Sequence, residues 1–425
     1  MDVSLDWRKR ARVWIVGAAL GAGVIACSED LEGGAACPAL CSGQNVTVFD
    51  TTIEAVSLDT SLVGIPAFGN DGSLYLAFRR DTLDVRSVVR FDSIPSTFAK
   101  GGADSAITRL DSAYLLLQVN AIGTKVKGPV RINLFDVDTT EADTSVAVVR
   151  TLFRPDRLIG GSTLDTNQVR DSLRVYFSNG PLLAKIAGKK RLRVGIQATS
   201  AQGVEINLGS IDGGQTPLLR FDPAPEDTAI RPLTISPLSQ TPTEDAQQAS
   251  DFLDYIVVLK APLPPTGPVL SVGGLPNRRA FLRFDIPARI LDSSTVLRAT
   301  LILTQQPNRA IDPKDTLVVV PELVRAGAEV LDLRRAAILT DPFAFDTIRV
   351  APGDSGTRLI EMASAVRQWA ASSSAALSQQ RAIILRTSRQ GTSAFEVLFY
   401  SREAPVALRP RLRVNYARRT SFGIP

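Results

Sequence analysis

The sequence contains no histidine in 425 residues. This absence excludes Ser-His-Asp and Cys-His catalysis, together with every metal site that uses an imidazole ligand. Only three cysteines are present, and aromatic residues make up 6% of the chain. The scarcity of aromatic side chains argues against avid glycan binding through many exposed rings.

Clustered basic charge is also missing. Lys and Arg number 48 against 43 Asp and Glu, and both signs are mixed along the chain beyond its first residues. No basic block with interleaved aromatics and no RNP-like motif occurs, so nucleic-acid binding is not expected. The region beyond the N-terminal segment carries no G-x-S-x-G, S-x-x-K or phosphate-loop motif, and the sequence therefore predicts a protein that is not an enzyme.

The N-terminus has the organisation of an export signal. The basic segment Trp7–Arg12 precedes the apolar run Val13–Ala26, which is shorter than the about 20 residues that a membrane span needs. The run ends in Val24-Ile25-Ala26-Cys27, which resembles a bacterial lipobox. We therefore expect residues 1–26 to be a lipoprotein signal peptide and Cys27 to be lipidated; the alternatives are an ordinary secretory signal and an uncleaved anchor.

The segment after Cys27 is typical of a tether. Residues 27–45 are small, polar and Gly-rich, which favours a flexible spacer. Cys37 and Cys41 could form a local disulfide in an oxidising compartment. Ser28, in place of Asp, resembles the pattern that directs lipoproteins to an outer membrane if the source has two membranes.

Short strand-like runs separated by turns begin near Val46. Gly69-Asn70-Asp71-Gly72 lies between two of them and predicts a hairpin. Strands at this spacing, with few helical patterns, favour an antiparallel β-sandwich. One short helix is predicted from Pro181, with Leu182 and Ile186 on its apolar face.

The pattern of the first half returns in the second half. AFLRFDIP at Ala280–Pro287 resembles SVVRFDSIP at Ser87–Pro95, and the closing strands of the two halves repeat at the same offset. A second helix is predicted around Val366 and Trp369, with Trp369 in the core. We therefore expect an all-β chain of two tandem jelly-roll-like sandwiches, each with one short helix. The predicted boundaries are 46–222 for domain 1, 223–250 for a Pro-rich linker, 251–417 for domain 2 and 418–425 for a tail.

The second copy resembles a known family. LPNRRAFLRFDIP, VLRATLILTQ, AVRQWA and FYSREAPVALRPRLRVNY look like the DNRLRE domain, also described as carbohydrate-binding module family 96. The resemblance covers about Asp251–Tyr416, and the first copy matches more loosely. It implies a non-catalytic jelly-roll sandwich of secreted or surface proteins, often associated with polysaccharides.

Two groups of residues are candidates for binding. Tyr400, Arg402 and Glu403 combine an aromatic ring with planar hydrogen-bonding groups where a strand meets a loop, which is typical of a sugar site. In the core strand, Arg283 and Asp285 lie on one face, where a structural ion pair is favoured over a ligand clamp.

A metal site is a further hypothesis. The carboxylates of Asp136, Asp138, Glu141 and Asp143 are numerous enough for structural calcium. They lack the Gly and terminal Glu of an EF-hand loop, and a solvated acidic loop is the alternative. No other cofactor is predicted.

These observations predict a lipid-anchored, exported protein of the cell envelope that binds polysaccharide or cell-wall material. The alternatives are a structural module that contacts other envelope proteins, and a lyase or hydrolase built on a jelly roll. The predicted partners are thus a polysaccharide or an envelope protein, and the membrane through the lipid.

Overall fold

The protein was analysed as a computed structural model. It describes residues 47–64, 68–239, 252–308, 316–325, 332–341, 345–371 and 381–419. The predicted signal peptide at residues 1–26, the predicted tether at residues 27–45 and the three cysteines Cys27, Cys37 and Cys41 lie outside the described residues. The described chain is all-β with large antiparallel sheets, as the sequence predicts, and its strands form two sandwich-like groups.

The first sheet group and the strands around it come mainly from the first half of the chain. The strands up to the end of the predicted linker are β1 (Val48–Ile53), β2 (Val56–Val63), β3 (Ser73–Arg79), β4 (Leu83–Phe91), β5 (Thr97–Lys100), β6 (Ala103–Ala106), β7 (Asp111–Val126), β8 (Val130–Asp136), β9 (Leu158–Leu164), β10 (Ser172–Tyr176), β11 (Leu192–Thr199), β12 (Val204–Gly209), β13 (Leu218–Asp222) and β14 (Leu233–Ile235), the last of which lies within the linker.

The second half continues the numbering. Its strands are β15 (Asp254–Lys260), β16 (Val269–Gly273), β17 (Arg278–Phe284), β18 (Ser294–Gln306), β19 (Leu317–Val324), β20 (Thr340–Asp341), β21 (Ile348–Val350), β22 (Gly356–Glu361), β23 (Ala382–Thr387), β24 (Glu396–Tyr400) and β25 (Arg411–Arg418).

Both predicted helices are present, and three shorter ones accompany them within the described residues. The helices are α1 (Val146–Thr151), α2 (Asn179–Ala187), α3 (Ala288–Leu291), α4 (Leu333–Ile338) and α5 (Ala363–Ala371). Helix α2 turns Leu182 and Ile186 into the core, and α5 turns Val366 and Trp369 inward, as the apolar spacing predicts. The expectation of one helix in each copy is too low, because the short connections after β8, β17 and β19 also contain helical turns.

The two halves share one pairing pattern. In the first half β7 pairs with β10, β12 and β13, while β11 pairs with β4 and β8. In the second half β18 pairs with β22, β24 and β25, while β23 pairs with β17 and β19. Equivalent strands thus have equivalent neighbours, as expected for a tandem duplication.

The first strand of each copy lies in the sheet of the other copy. β2 pairs along its length with β17, so that Leu58 faces Arg283. β15, which precedes the second copy, pairs with β4 and places Tyr255 opposite Val88. β1 joins the second group as well, next to β25. The two sandwiches therefore exchange strands, and neither sheet is completed by its own half of the chain.

This exchange corrects the predicted hairpin. The turn at Gly69-Asn70-Asp71-Gly72 is followed by β3, but β3 pairs with β4 and β12 and not with the preceding strand β2. The Gly69 backbone has φ +77°, which suits a glycine in a turn. Local turn chemistry correctly indicates where the chain changes direction, while the strand partner is set by burial against the other copy.

The exchanged strands are held by buried apolar contacts. Tyr255 and Val257 of β15 are buried among Val88, Phe135 and Val149 on the outer side of the first sandwich. Burial of a large apolar side chain stabilises a fold by about 1.5–3 kcal/mol. A second cluster joins Tyr75 and Val85 of the first copy to Leu275 and Ala394 of the second, so the described chain packs as one unit from Val48 onwards.

No helix among the described residues is long and apolar enough to cross a membrane.

Candidate functional site

A buried charge network lies beneath the exchanged strand β15. Arg90 donates to Asp92 at 2.6 Å and to Asp143 at 2.7 Å, and Arg193 lies 3.0 Å from the other Asp143 oxygen. The Tyr255 hydroxyl donates to the same carboxylate at 3.3 Å. The Arg90 and Arg193 side chains are each 1% exposed. The Arg-Asp pair of the first core strand is thus structural.

The four carboxylates of the calcium hypothesis are not brought together as a ligand set. Asp136 and Asp138 pair with Lys185 and Arg191 on the surface of the first sandwich. Glu141 is exposed, whereas Asp143 belongs to the buried network. Among the described residues no group of three or more carboxylates and cysteines could hold a metal ion.

The predicted sugar site at Tyr400, Arg402 and Glu403 lies where β24 ends. Tyr400 is half-buried, and the Arg402 and Glu403 side chains are exposed and approach each other to 3.5 Å. The Arg402 amide donates to the Asp59 carboxylate of the exchanged strand β2 at 2.8 Å, and burial raises the pKa of Asp59 to about 6. The loop therefore contacts the other half of the chain and leaves one ring partly accessible.

A second aromatic group lies on the outer face of the first sandwich. The rings of Tyr114 and Tyr176 are 5.7 Å apart on the neighbouring strands β7 and β10, and Tyr176 is 47% exposed. The Arg174 guanidinium lies 5.4 Å from the centre of the Tyr114 ring, and Arg220 of β13 stands opposite Tyr114. We call Tyr114, Tyr176, Arg174 and Arg220 the tyrosine face.

Strand alternation produces the tyrosine face. Leu115 and Leu117 of β7 and Val175 of β10 are fully buried in the core, so the residues between them must point away from it. Tyr114 and Tyr176 occupy such positions. The alternation of Tyr114 with the buried leucines is visible in the sequence, whereas the pairing of β7 with β10, which joins the two rings, is not.

The arginines of the tyrosine face have no carboxylate partners. Within the described part of the chain neither Arg174 nor Arg220 forms an ion pair; Arg174 is exposed, and Arg220 is half-buried with its Nε shielded from solvent. Aromatic rings beside unpaired planar donors suit a ligand with apolar faces and hydroxyl groups, such as a saccharide.

The equivalent face of the second copy has a different chemistry. β18 and β25 place Ile302 opposite Arg411 there, and Arg413 donates from Nε to the Asp50 carboxylate of β1 at 2.9 Å. Arg298 pairs with Glu361 at 3.2 Å. Arg413 and Arg298 are thus neutralised within the protein, whereas Arg411 forms no ion pair among the described residues, so the two copies differ in what they offer to a ligand.

A cavity of about 370 Å³ opens at the far end of β7. It is lined by Arg79, Lys125, Lys127, Gln202, Gly203, Val204 and Glu205. The Lys125 ammonium lies 3.9 Å from the ring centre of Phe395, a residue of the second copy. The cavity therefore lies beside the junction between the copies. It is separate from the tyrosine face, since Tyr114 and Lys125 stand near opposite ends of β7, roughly 25 Å apart at ~3.3 Å per residue once the bulge opposite Glu205 and Asn207 is allowed for.

Glu205 organises the floor of this cavity. Its carboxylate accepts the Tyr75 hydroxyl at 2.8 Å on one oxygen and Arg79 on the other. Burial, followed by the nearby Glu205 charge, raises the pKa of Tyr75 above its usual value, so the phenol stays protonated and donates.

A cluster of carboxyl groups lies beside the turn after β2. Burial, reinforced by the charges of Asp254 and Asp212, raises the pKa of Asp71 to about 7. Burial likewise raises the pKa of Asp254 to about 6, although its carboxylate accepts the Ile211 amide at 2.9 Å. The backbone of Gly391 from the second copy approaches Asp71 so closely that an added Cβ would lie 2.5 Å from the carboxyl oxygen.

Comparison with known proteins leaves the family open. No protein-family model matches the chain, and no curated protein matches it. Among solved structures, the IBDV viral particle is 11% identical over 88% of this chain and 74% of the other, with a TM-score of 0.11. Particles derived from infectious bursal virus give 10% identity, the same coverage and a TM-score of 0.11. Scores this low carry no argument about the fold, and the resemblance to the DNRLRE domain stays a prediction.

Proposed function

We propose that this protein is a non-catalytic, lipid-anchored component of the cell envelope whose jelly-roll-like sandwiches present a polysaccharide-binding surface, the tyrosine face. The observation that carries the proposal is the pair of rings at the half-buried Tyr114 and the exposed Tyr176, 5.7 Å apart on adjacent strands. Sugar rings pack their C–H faces on aromatic side chains, while their hydroxyl groups accept from planar donors such as Arg174.

The geometry of the tyrosine face favours an extended ligand. Tyr176, Tyr114 and Arg220 stand in one row across three neighbouring strands. Strands in a sheet lie about 4.8 Å apart, so the row is roughly 10 Å long. A polysaccharide chain lying across the strands would contact both rings and the guanidinium of Arg220 together. The flat outer side of a sheet suits a long polymer better than it suits a small molecule, which would need a deeper pocket.

The two copies take different roles in this proposal. The ion pairs Arg413–Asp50 and Arg298–Glu361 neutralise two arginines on the face of the second copy, which carries no aromatic ring at the equivalent positions. The second copy instead supplies β15, which completes the sheet of the first. Lipidation at Cys27 and a flexible tether would hold this binding surface at the membrane, with an outer-membrane location if the source has two membranes.

The proposal is tested by binding of the whole chain to a panel of soluble and insoluble polysaccharides. The double variant Tyr114→Ala, Tyr176→Ala should weaken binding at least about 100-fold, since stacking on each ring contributes roughly 1.5 kcal/mol. Tyr400→Ala is the matched control, because it removes one half-buried tyrosine from the other copy. Binding that the double variant retains but Tyr400→Ala abolishes would move the site to the loop at Tyr400, and a folded chain that binds no polysaccharide would contradict the proposal.

A structural role is the second candidate, favoured by the strand exchange. Because β2 and β15 cross between the copies, the chain packs as one unit that could serve as a rigid spacer or assembly module. Crosslinking in whole cells would then return envelope proteins that contact the sandwiches, while polysaccharide binding stays absent. The same crosslinks with retained polysaccharide binding would instead indicate that both roles coexist.

A further inference from the structure

The cavity at the end of β7 has a chemistry that the tyrosine face does not share. Its lining brings three cationic side chains together with a single carboxylate. Both oxygens of that carboxylate, on Glu205, already accept hydrogen bonds from Tyr75 and Arg79. The cavity therefore presents donors and positive charge to a ligand, and few acceptors.

Several of these donors are unoccupied. Arg79 uses one terminal nitrogen for Glu205, which leaves its Nε and its other terminal nitrogen without a partner among the described residues. Its side chain is 35% exposed and so accessible from solvent. Lys127 and Gln202 are exposed at the cavity and hydrogen-bond to no described residue through their side chains. An arginine fork beside a lysine is the arrangement that oxyanions bind best in proteins.

The position of the cations is fixed by the fold. Glu205 of β12 stands opposite Lys125 of β7 and opposite Ala77 of β3, so the three strands hold their polar ends around one space. Lys125 is further held over the ring of Phe395. A site whose charged groups are placed in advance loses little side-chain entropy when a ligand binds.

We propose that this cavity binds a phosphate monoester or free phosphate, taken up as a dianion. The lining carries three cations against one carboxylate, and both oxygens of that carboxylate already accept hydrogen bonds, so the lining favours an anion over a cation. Phosphate near neutral pH carries about −1.5 to −2 charges and three acceptor oxygens, enough to meet Arg79, Lys127 and Gln202 together. The volume of about 370 Å³ admits a phosphate group and leaves room for the rest of a small phosphate monoester.

Calorimetric titration of the whole chain at pH 7.5 tests the proposal with two probes. The first probe is inorganic phosphate, with chloride at equal ionic strength as the reference. The second is a set of phosphatidylcholine vesicles with and without phosphatidic acid, whose headgroup is a phosphate monoester. Binding of inorganic phosphate alone would identify a soluble ligand, and preferential binding of phosphatidic acid vesicles would identify a lipid headgroup. Binding of neither probe at concentrations on the order of 1 mM would overturn the proposal.

Single substitutions distinguish binding in this cavity from a general attraction of anions to the positive charges of the protein. Lys127→Gln removes an exposed cation and should weaken binding about fivefold, and Arg79→Gln should weaken it more than about tenfold. Lys190→Gln removes an exposed cation of the same sandwich away from the cavity and should change nothing. Because Arg79 also pairs with Glu205, circular dichroism must show that its variant is folded. Equal affinities in wild type, Lys127→Gln and a folded Arg79→Gln would refute the site.

The outcome is independent of polysaccharide binding. The double variant Tyr114→Ala, Tyr176→Ala should bind phosphate as tightly as the wild type does, because the tyrosine face lies near the other end of β7. Loss of phosphate binding in that variant would place the anion on the tyrosine face and contradict the assignment to the cavity.

Discussion

Replacing Asp143 by Asn should destabilise the whole described chain. The change keeps the shape of the side chain but removes the charge that Arg90 and Arg193 share at 2.7 and 3.0 Å. Arg90 keeps Asp92 as a partner, whereas Asp143 is the carboxylate that Arg193 pairs with. Breaking a buried ion pair from one side costs about 3–5 kcal/mol, so we expect a loss of that size in the free energy of unfolding.

Because the two copies exchange strands, the Asp143→Asn variant also tests whether the copies unfold together. The Tyr255 hydroxyl, which donates to Asp143, belongs to β15 at the entry to the second copy. In the chain expected after cleavage before Cys27, Trp369 is the sole tryptophan, and it is packed against Phe284 in the second sandwich. Its fluorescence therefore reports on a sandwich that does not contain the substituted residue.

Urea unfolding should be followed by circular dichroism and by tryptophan fluorescence together. We expect both signals to shift to lower urea concentration by the same amount in Asp143→Asn. Asp156→Asn is the matched control, because its partner Arg154 and Asp156 itself are more than half exposed, and a surface pair contributes about 0–1 kcal/mol. A loss below about 1 kcal/mol would refute the role of the network. A shift in circular dichroism without a shift in fluorescence would refute the coupling of the two copies.

Three further predictions concern other parts of the chain. Burial raises the pKa of Asp71 to about 7 and that of Asp254 to about 6, so the folded chain holds these protons more tightly than the unfolded chain. Their contribution to the free energy of unfolding is fully present below about pH 4 and is lost as the pH rises through about 7, by at most about 4 kcal/mol for Asp71, and Asp71→Asn should flatten this part of the pH dependence in urea titrations at several pH values. Trp369→Ala should cost about 3–5 kcal/mol in the same assay, because the side chain is 5% exposed; a loss below about 1 kcal/mol would contradict its place in the core. Cys27→Ala should abolish labelling of the chain by a radioactive lipid precursor, and unchanged labelling would contradict the predicted anchor.

The class of the fold follows from the sequence because it depends on local patterns. Alternation around Leu115 and Leu117 predicts strands, and the spacing of Val366 and Trp369 predicts a helix. The repeat of AFLRFDIP indicates two copies, and the shared pairing pattern agrees with it. The strand and helix patterns can be recognised from the neighbours of each residue along the chain, and the repeat from a comparison of two stretches of sequence.

Strand partners depend on contacts that the sequence does not display. β2 carries the same kind of alternation whether it pairs with β4 or with β17, because the two acceptor strands are copies of each other. The turn at Gly69 therefore correctly predicts that the chain changes direction. The strand pairing that it predicts is wrong. Burial of β15 against Val88 and Phe135 decides the exchange, and only the assembled structure contains that contact.

The candidate sites, like the strand partners, depend on contacts that the sequence does not display. The sequence predicts a sugar site at Tyr400 because Arg402 and Glu403 lie close to it along the chain. Tyr114 and Tyr176 are far apart along the chain and meet only through the pairing of β7 with β10. The carboxylates around Asp138 are close in sequence and therefore predict a calcium site. In the structure Lys185 and Arg191, from another segment of the chain, form ion pairs with Asp138.

The central claim is that the tyrosine face binds polysaccharide, and affinity electrophoresis of the whole chain through gels that contain polysaccharide tests it most directly. We predict that the wild type and Tyr400→Ala are retarded to the same extent by at least one polysaccharide. The double variant Tyr114→Ala, Tyr176→Ala should migrate as it does in a gel without polysaccharide. Equal retardation of the wild type and the folded double variant would contradict the account.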